Sequence, residues 1–230
     1  MNPFSDANVD WLLCYDSPLI FKTPITFLLL IVTVIITLQA FKSQRIKQQL
    51  LFVPYTIKRT QQWYRFLSHG FIHANGMHIV LNAFVLYSFG SHVEINYISN
   101  FGDLGRIYYV LLYILGLGVA TIYSYYKHRD NPYYSALGAS GAISGIVFAF
   151  ILFNPTARMG LVLIPMDLFS LPAVVLGVLY LVYSSVMAKY GRDNIGHDAH
   201  FWGSVWGFAF TLALDYTLID KFSYDLRTLF

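Results

Sequence analysis

A serine and a histidine stand at the heads of apolar runs where a lone polar side chain is out of place. Ser140 lies in Gly138-Ala139-Ser140-Gly141, and His200 opens Ala199-His200-Phe201-Trp202-Gly203-Ser204-Val205-Trp206-Gly207. A polar group at membrane depth costs several kcal/mol unless it is paired or put to use. If Ser140 begins a helix, its own N–H and those of Gly141 and Ala142 have no intrahelical partner and face outward. Such donors, aided by the positive end of the helix dipole, suit the oxyanion formed when a serine oxygen attacks an amide. A histidine in reach would take the serine proton and return it to the leaving amine. Taken singly, Ser140 reads better as an N-cap in a glycine-rich turn, and His200 as an interfacial or satisfied core histidine.

Their surroundings favour the pairing. Gly203 and Gly207 lie three and seven residues after His200 and share its helical face. Gly141 and Gly145 form a similar stripe beside Ser140, and two such faces let helix backbones approach tightly in lipid. Docked together, they would bring Ser140 within hydrogen-bond reach of His200. Ordinary helix packing would explain these glycines but not the histidine.

His78 and Asn82 are four apart, so one helical face could aim both at a single acceptor, as oxyanion donors do. A mutually bonded pair gluing helices together is the alternative. Neither nearby carboxylate completes a triad. Asp198 is about 200° around the helix from His200, and Asp215 about 22 Å down its axis, which leaves a two-residue dyad. The chain has 7 histidines but no His-Glu-x-x-His signature, so neither His69, His73 and His78 nor the 197–200 cluster points to a metal, and no cofactor is indicated. His69 and His73, near Trp63, could as well be interfacial anchors.

These residues need a membrane frame. A chain that is 57% hydrophobic and 12% charged, with a mean hydropathy of +0.54, has more apolar surface than one soluble core can hide. The apolar blocks predict helical spans at about 24–40, 76–97, 105–126, 140–153, 171–188 and 199–218, an all-α polytopic bundle of six. The fourth covers only about 21 Å of a hydrocarbon core about 30 Å thick, so Ser140 should begin inside the membrane. Asn131-Pro132, Asn154-Pro155, Pro165, Pro172 and Gly191 mark the joints. Without a long polar stretch or repeat, the sequence predicts one membrane domain over 1–230 with a short N-terminal tail over 1–23 and no separate soluble domain.

Cys14 is the only cysteine, which excludes an internal disulfide. Asp6, Asp10 and Asp16 occupy the tail without a basic segment ahead of an apolar one, so no removable signal peptide is expected there. The net charge of +3 gathers in Lys42, Arg45, Lys47, Lys58, Arg59 and Arg65 between the first two spans. Beside membrane helices these suit anionic lipid headgroups better than nucleic acid. Adding Lys127, Arg129, Lys189 and Arg192 gives the odd loops most of the 15 Lys and Arg, against Lys22, Arg106, Arg158, Lys221 and Arg227 elsewhere. Positive-inside counting then puts the odd loops in the cytoplasm.

Across nearly its whole length the chain resembles the rhomboid intramembrane serine proteases. The likeness rests on Gly138-Ala139-Ser140-Gly141, on Ala199-His200 with Gly203 and Gly207, and on His78 with Asn82. Phe89-Gly90 and Glu94 are similar to the family's Gly-x-x-x-Glu ending of the second helix, and Trp63-Tyr64-Arg65 to its first-loop Trp-Arg. One departure is Ser144, where some members place an aromatic ring against the histidine. The resemblance implies a six-helix membrane endopeptidase with Ser140 as nucleophile and His200 as base. His78, Asn82 and the Ser140 amide would form the oxyanion hole. It implies substrates that are themselves membrane helices, a bacterial inner membrane, and an active site facing away from the cytoplasm, against the charge count. Oligomeric state is not legible. A non-catalytic relative that binds membrane helices is the rival reading; a transporter is disfavoured by the absence of intramembrane charge pairs and inverted repeats.

Overall fold

The computed structural model describes residues 19–160, 170–191 and 195–229. Expectations placed on the acidic tail, Cys14, Pro165 and Arg192 lie outside them. After the short α1 (Leu19–Lys22), Pro24 starts α2 (Pro24–Lys42), its fixed φ and missing N–H suiting the first turn of a helix. The first loop is built of α3 (Gln44–Leu50), α4 (Pro54–Thr60), α5 (Arg65–Ser68) and a 3₁₀ turn (His69–Phe71). A longer helical stretch follows as α6 (Gly76–Val85), a π turn (Leu86–Gly90) and α7 (Ser91–Phe101). Then come α8 (Asp103–His128), α9 (Ser140–Phe153), a two-residue ladder of β1 (Arg158–Met159) with β2 (Leu171–Pro172), α10 (Ala173–Tyr190), α11 (His197–Leu214) and α12 (Leu218–Arg227).

Among the described residues α2, α8 and α10 are long and apolar enough to cross a membrane, against six expected spans. The expected second span is interrupted by the π turn, α9 is shorter, and α11 carries His197, Asp198 and His200 in its first turn. The sixth helix also stops earlier than expected, because Asp215 Oδ1 accepts from Thr217 N at 3.0 Å and Thr217 Oγ1 at 2.6 Å, a local turn that competes with the helix. Ile31, Ile35 and Leu38 of α2, Ile107 and Ile122 of α8, and Val178 and Val182 of α10 lie exposed on the outer faces. Such faces belong in lipid, and the protein is an integral membrane protein.

In hydrocarbon every helix end needs partners. The first amides of α2 find one in Glu94, a fully buried carboxylate of α7 that accepts from Ile25 N at 3.0 Å, Thr26 N at 2.8 Å and Thr26 Oγ1 at 2.8 Å. With the Thr26 hydrogen so used, Tyr109 donates its own to Thr26 Oγ1 at 2.9 Å, tying in α8. The far end of α9 is held by Lys221 of α12, which donates to Phe153 O at 2.8 Å.

Helix α9 is the centre of the molecule, buried along nearly all of its length. Its closest neighbour is α11. A β-carbon on Gly203 would fall within the Gly141 backbone, and one on Gly207 within that of Gly145, so the two helices touch main chain to main chain. Trp206 locks the arrangement by donating its indole N–H to Leu112 O of α8 at 3.0 Å.

Candidate active site

The segment leading to Ser140 is held by the first loop. Phe52 and Ala136 exchange backbone bonds (N to O 3.0 and 2.9 Å), and Gly138 N donates to His69 O at 2.9 Å. Gly138 has φ +107°, a conformation that side-chain-bearing residues rarely adopt. The loop is braced by Arg65, whose Nε donates to Gln62 Oε1 at 2.7 Å and whose Nη1 donates to Gln48 O at 2.9 Å and Leu51 O at 2.6 Å. Of the basic run expected to face lipid headgroups, Arg65 is turned inward, whereas Lys42, Arg45, Lys58 and Arg59 are exposed. Arg65 is buried and committed to carbonyls, Lys58 pairs with Asp130 at 2.6 Å, and the Arg59 guanidinium lies 3.5 Å over the Tyr55 ring. Lys42 and Arg45 do face outward.

At the head of α9, Ser140 Oγ lies 2.8 Å from His200 Nε2. The glycine faces of α9 and α11 make this approach possible. Asp198 is engaged by Lys127 Nζ at 2.9 Å and Asp215 by Thr217, so both carboxylates are committed elsewhere. The His200 ring stacks on Tyr180 of α10, with centroids 6.1 Å apart and planes 25° from parallel, while the His197 ring stands edge-on at 5.9 Å. Tyr180 OH is 2.8 Å from Ser144 Oγ, which in turn donates to Ser140 O at 2.8 Å. Sequence reasoning saw the serine at 144 as a missing ring; the ring comes from another helix. The readable signal was Tyr180 between Gly177 and Ser184 on one face of α10.

His78 and Asn82 of α6 border the same segment. A β-carbon at position 138 would lie 2.8 Å from His78 Cε1, 3.0 Å from His78 Nε2 and 3.9 Å from Asn82 Nδ2. They do not bond to each other in the way a gluing pair would. Asn75 Oδ1 caps α6 by accepting from His78 N at 2.9 Å, and Asn82 Nδ2 bonds to His73 Nε2 at 2.8 Å. His73 Nδ1 reaches Thr37 Oγ1 of α2 at 3.1 Å, and Thr37 donates to Phe71 O at 3.1 Å. Burial, reinforced by the nearby His78, holds the His73 pKa down at about 4, so the ring is neutral. With Asn82 donating to Nε2, the proton sits on Nδ1 and is given to Thr37. His69 is likewise lowered to about 4 by burial. Both are buried, which answers against the alternative of interfacial anchors. The Thr26, Thr33 and Thr37 face of an otherwise apolar helix was the signal that α2 had polar partners inside.

Known proteins resemble this chain over the same region. Residues are 30% identical over 138 positions to the presenilin-associated rhomboid-like protein A, mitochondrial, of Danio rerio, covering 60% of this chain and 34% of that protein. The rhomboid protease AarA of Providencia stuartii is 28% identical over 111 residues, 43% of this chain and 37% of its own length. RHOMBOID-like protein 12, mitochondrial, of Arabidopsis thaliana is 27% identical over 154 residues, 60% of this chain and 42% of its own. The matched region thus amounts to about a third of the zebrafish and Providencia relatives' length. The Rhomboid domain signature covers residues 60–216, which includes Ser140, His200, His78 and Asn82 and most of the chain, and on that match the chain belongs to the rhomboid family.

Proposed function

We propose that the protein is an intramembrane serine endopeptidase that cleaves peptide bonds in or near the membrane helices of other proteins. The 2.8 Å contact between Ser140 Oγ and His200 Nε2 carries this reading. His200 removes the Ser140 proton as the oxygen attacks the scissile carbonyl, and delivers it to the departing amine; water then hydrolyses the acyl-enzyme by the reverse relay. The negative oxygen of the tetrahedral intermediate is met by the Ser140 amide, the His78 ring and the amide hydrogen of Asn82 not bonded to His73. The helix dipole of α9 points its positive end at the same place.

The frame for this chemistry is a single membrane domain of six helices, with α6, its π turn and α7 acting together as the second and the short α9 placing Ser140 below the membrane surface. A helical substrate must unwind locally, because its amides are otherwise internally bonded and shielded. Substrates with helix-loosening residues near the end facing Ser140 fit that need. The word protease in the name of the Providencia relative agrees with the activity. The mitochondrial names of the zebrafish and Arabidopsis relatives give a bacterial inner membrane no support, so the location goes no further than a membrane. For orientation we keep the family's arrangement, with the dyad away from the cytoplasmic side, and reporter fusions near Lys47 and at the C terminus test it.

Purified protein in detergent should react with a fluorophosphonate at Ser140 alone and cut a model transmembrane substrate. Ser140→Ala and His200→Ala should each abolish both reactions while the melting temperature is kept. Normal cleavage by both variants would mean that the dyad is misassigned.

A further inference from the structure

We infer that Thr37 and His73 are positioning residues for Asn82, and that together they decide which end of its amide faces the oxyanion. The inference rests on the proposed role of Asn82 and adds to it the groups that fix the polarity of that donor.

A side-chain amide has a donating and an accepting end of nearly equal shape, and only the donating end stabilises a negative oxygen. Turned by half a rotation, Asn82 would meet the oxyanion with its own carbonyl and repel it. Apolar packing holds either orientation equally well. The choice must come from a neighbour that bonds one end and refuses the other.

That choice starts at a main-chain carbonyl, which can only accept. Thr37 of α2 has one hydroxyl hydrogen and gives it to Phe71 O at 3.1 Å, so toward His73 its oxygen can only accept. His73 Nδ1, 3.1 Å from Thr37 Oγ1, therefore carries the ring proton. A neutral imidazole has one N–H, which leaves Nε2 as an acceptor, and the end of Asn82 facing it at 2.8 Å is the NH2 group rather than the oxygen. Donation cannot run the other way without taking the Thr37 hydrogen from Phe71 O. Thr37 and His73 are both buried, so bulk water does not stand in for either. One hydrogen of Asn82 Nδ2 is spent on His73, and the other is left for the oxyanion beside Gly138, where a β-carbon would lie 3.9 Å from Nδ2. A hydroxyl on α2 thus sets the sign of a donor on α6.

The test uses the protein in detergent and has two readouts, the His73 tautomer by nitrogen NMR of isotope-labelled histidine, assigned through His73→Phe, and kcat and KM on the transmembrane substrate. Thr37→Val keeps the shape and removes the hydroxyl, so the ring proton moves to Nε2 and Asn82 turns its oxygen toward His73 and the oxyanion alike. Wild-type His73 should show its proton on Nδ1. Thr37→Val should show it on Nε2 and lower kcat by about 10- to 1,000-fold with KM within about twofold, as loss of one oxyanion donor would. Thr37→Ser restores the hydroxyl and should keep the wild-type tautomer and at least about a third of the wild-type rate. In Asn82→Ala no amide is left to orient, so adding Thr37→Val should slow that variant no further. A wild-type proton on Nε2 would overturn the inference, as would wild-type turnover in Thr37→Val or a loss that adds to that of Asn82→Ala. Should Thr37→Val fail to fold, the wild-type tautomer decides alone. If the wild-type protein neither reacts with fluorophosphonate at Ser140 nor cuts the substrate, the reading of the site has failed, an outcome separate from the tautomer, which still decides the relay.

Discussion

His78 and Asn82 meet the segment before Ser140 from one helix face, yet they are supported differently. Asn82 is aligned by His73, which is aligned by Thr37 of α2, whereas the His78 ring is set beside Gly138 and the edge of His73, with ring centroids 4.9 Å apart. In the proposed reaction each donor would serve an oxyanion that exists only in the transition state, so its loss should fall on kcat. We expect His78→Ala and Asn82→Ala each to lower turnover by about 10- to 1,000-fold with substrate KM little changed, measured on the transmembrane substrate. Wild-type turnover in both would leave the two side chains a purely structural role. At this scale the sequence was partly legible. Ser140, His200, His78 and Asn82 could be singled out as candidates because their spacing fits one helix each. His73 and Tyr180 could not be assigned partners, since each acts across a gap to another helix (Thr37, 36 positions away, and Ser144, 36 positions away) that no periodicity reveals.

Among the elements, the contact of α9 with α11 bears the site. Its tolerance is set by backbone, which cannot step aside as a flexible side chain can. Gly207→Ala would drive a β-carbon into the Gly145 carbonyl, and Gly118→Ala, with nothing within 4 Å, would not meet anything. Gly207→Ala should cost at least about 1–3 kcal/mol of stability and slow fluorophosphonate labelling, because the helices must part and the 2.8 Å Ser140 to His200 contact opens with them. Gly118→Ala should label as wild type and melt no lower. Equal melting of the two variants would refute the tight seam. The short α9 had the expected bounds 140–153, since Asn154-Pro155 and the glycines frame it. The ends of the sixth helix and the break in the second were not legible: the Asp215 turn is a local side-chain bond, and the π turn shifts the phase of a stretch that stays apolar on both sides of it.

For the whole molecule, the buried imidazoles of the first loop link stability to acidity. His69 and His73 are held at about 4 by burial, whereas an unfolded histidine titrates near about 6.5. Between those values the unfolded chain binds more protons, so stability is full above about pH 6.5 and falls as pH drops toward 4. Melting in detergent should therefore occur at a lower temperature at pH 5 than at pH 7, and His69→Phe, which keeps a ring against Phe52, should flatten the difference. An unchanged difference in that variant would remove His69 from the effect. The first loop is thus part of the folded core rather than a surface appendage, a point hidden in a sequence where its cations and aromatics look interfacial.

The π turn at Leu86–Gly90 sets which way the two halves of its helix face. In an unbroken helix, at 100° per residue, Gly90, Glu94 and Tyr97 would point on average about 110° away from His78 and Asn82. One surplus residue absorbed in a single wide turn cancels that offset, so the same helix faces Gly138 with its first half and clasps the start of α2 with its second. Deleting one residue within Leu86–Gly90 should therefore turn Glu94 away from the start of α2 or His78 and Asn82 away from Gly138 only if the turn stays wide, whereas a straight helix over the deletion keeps both faces.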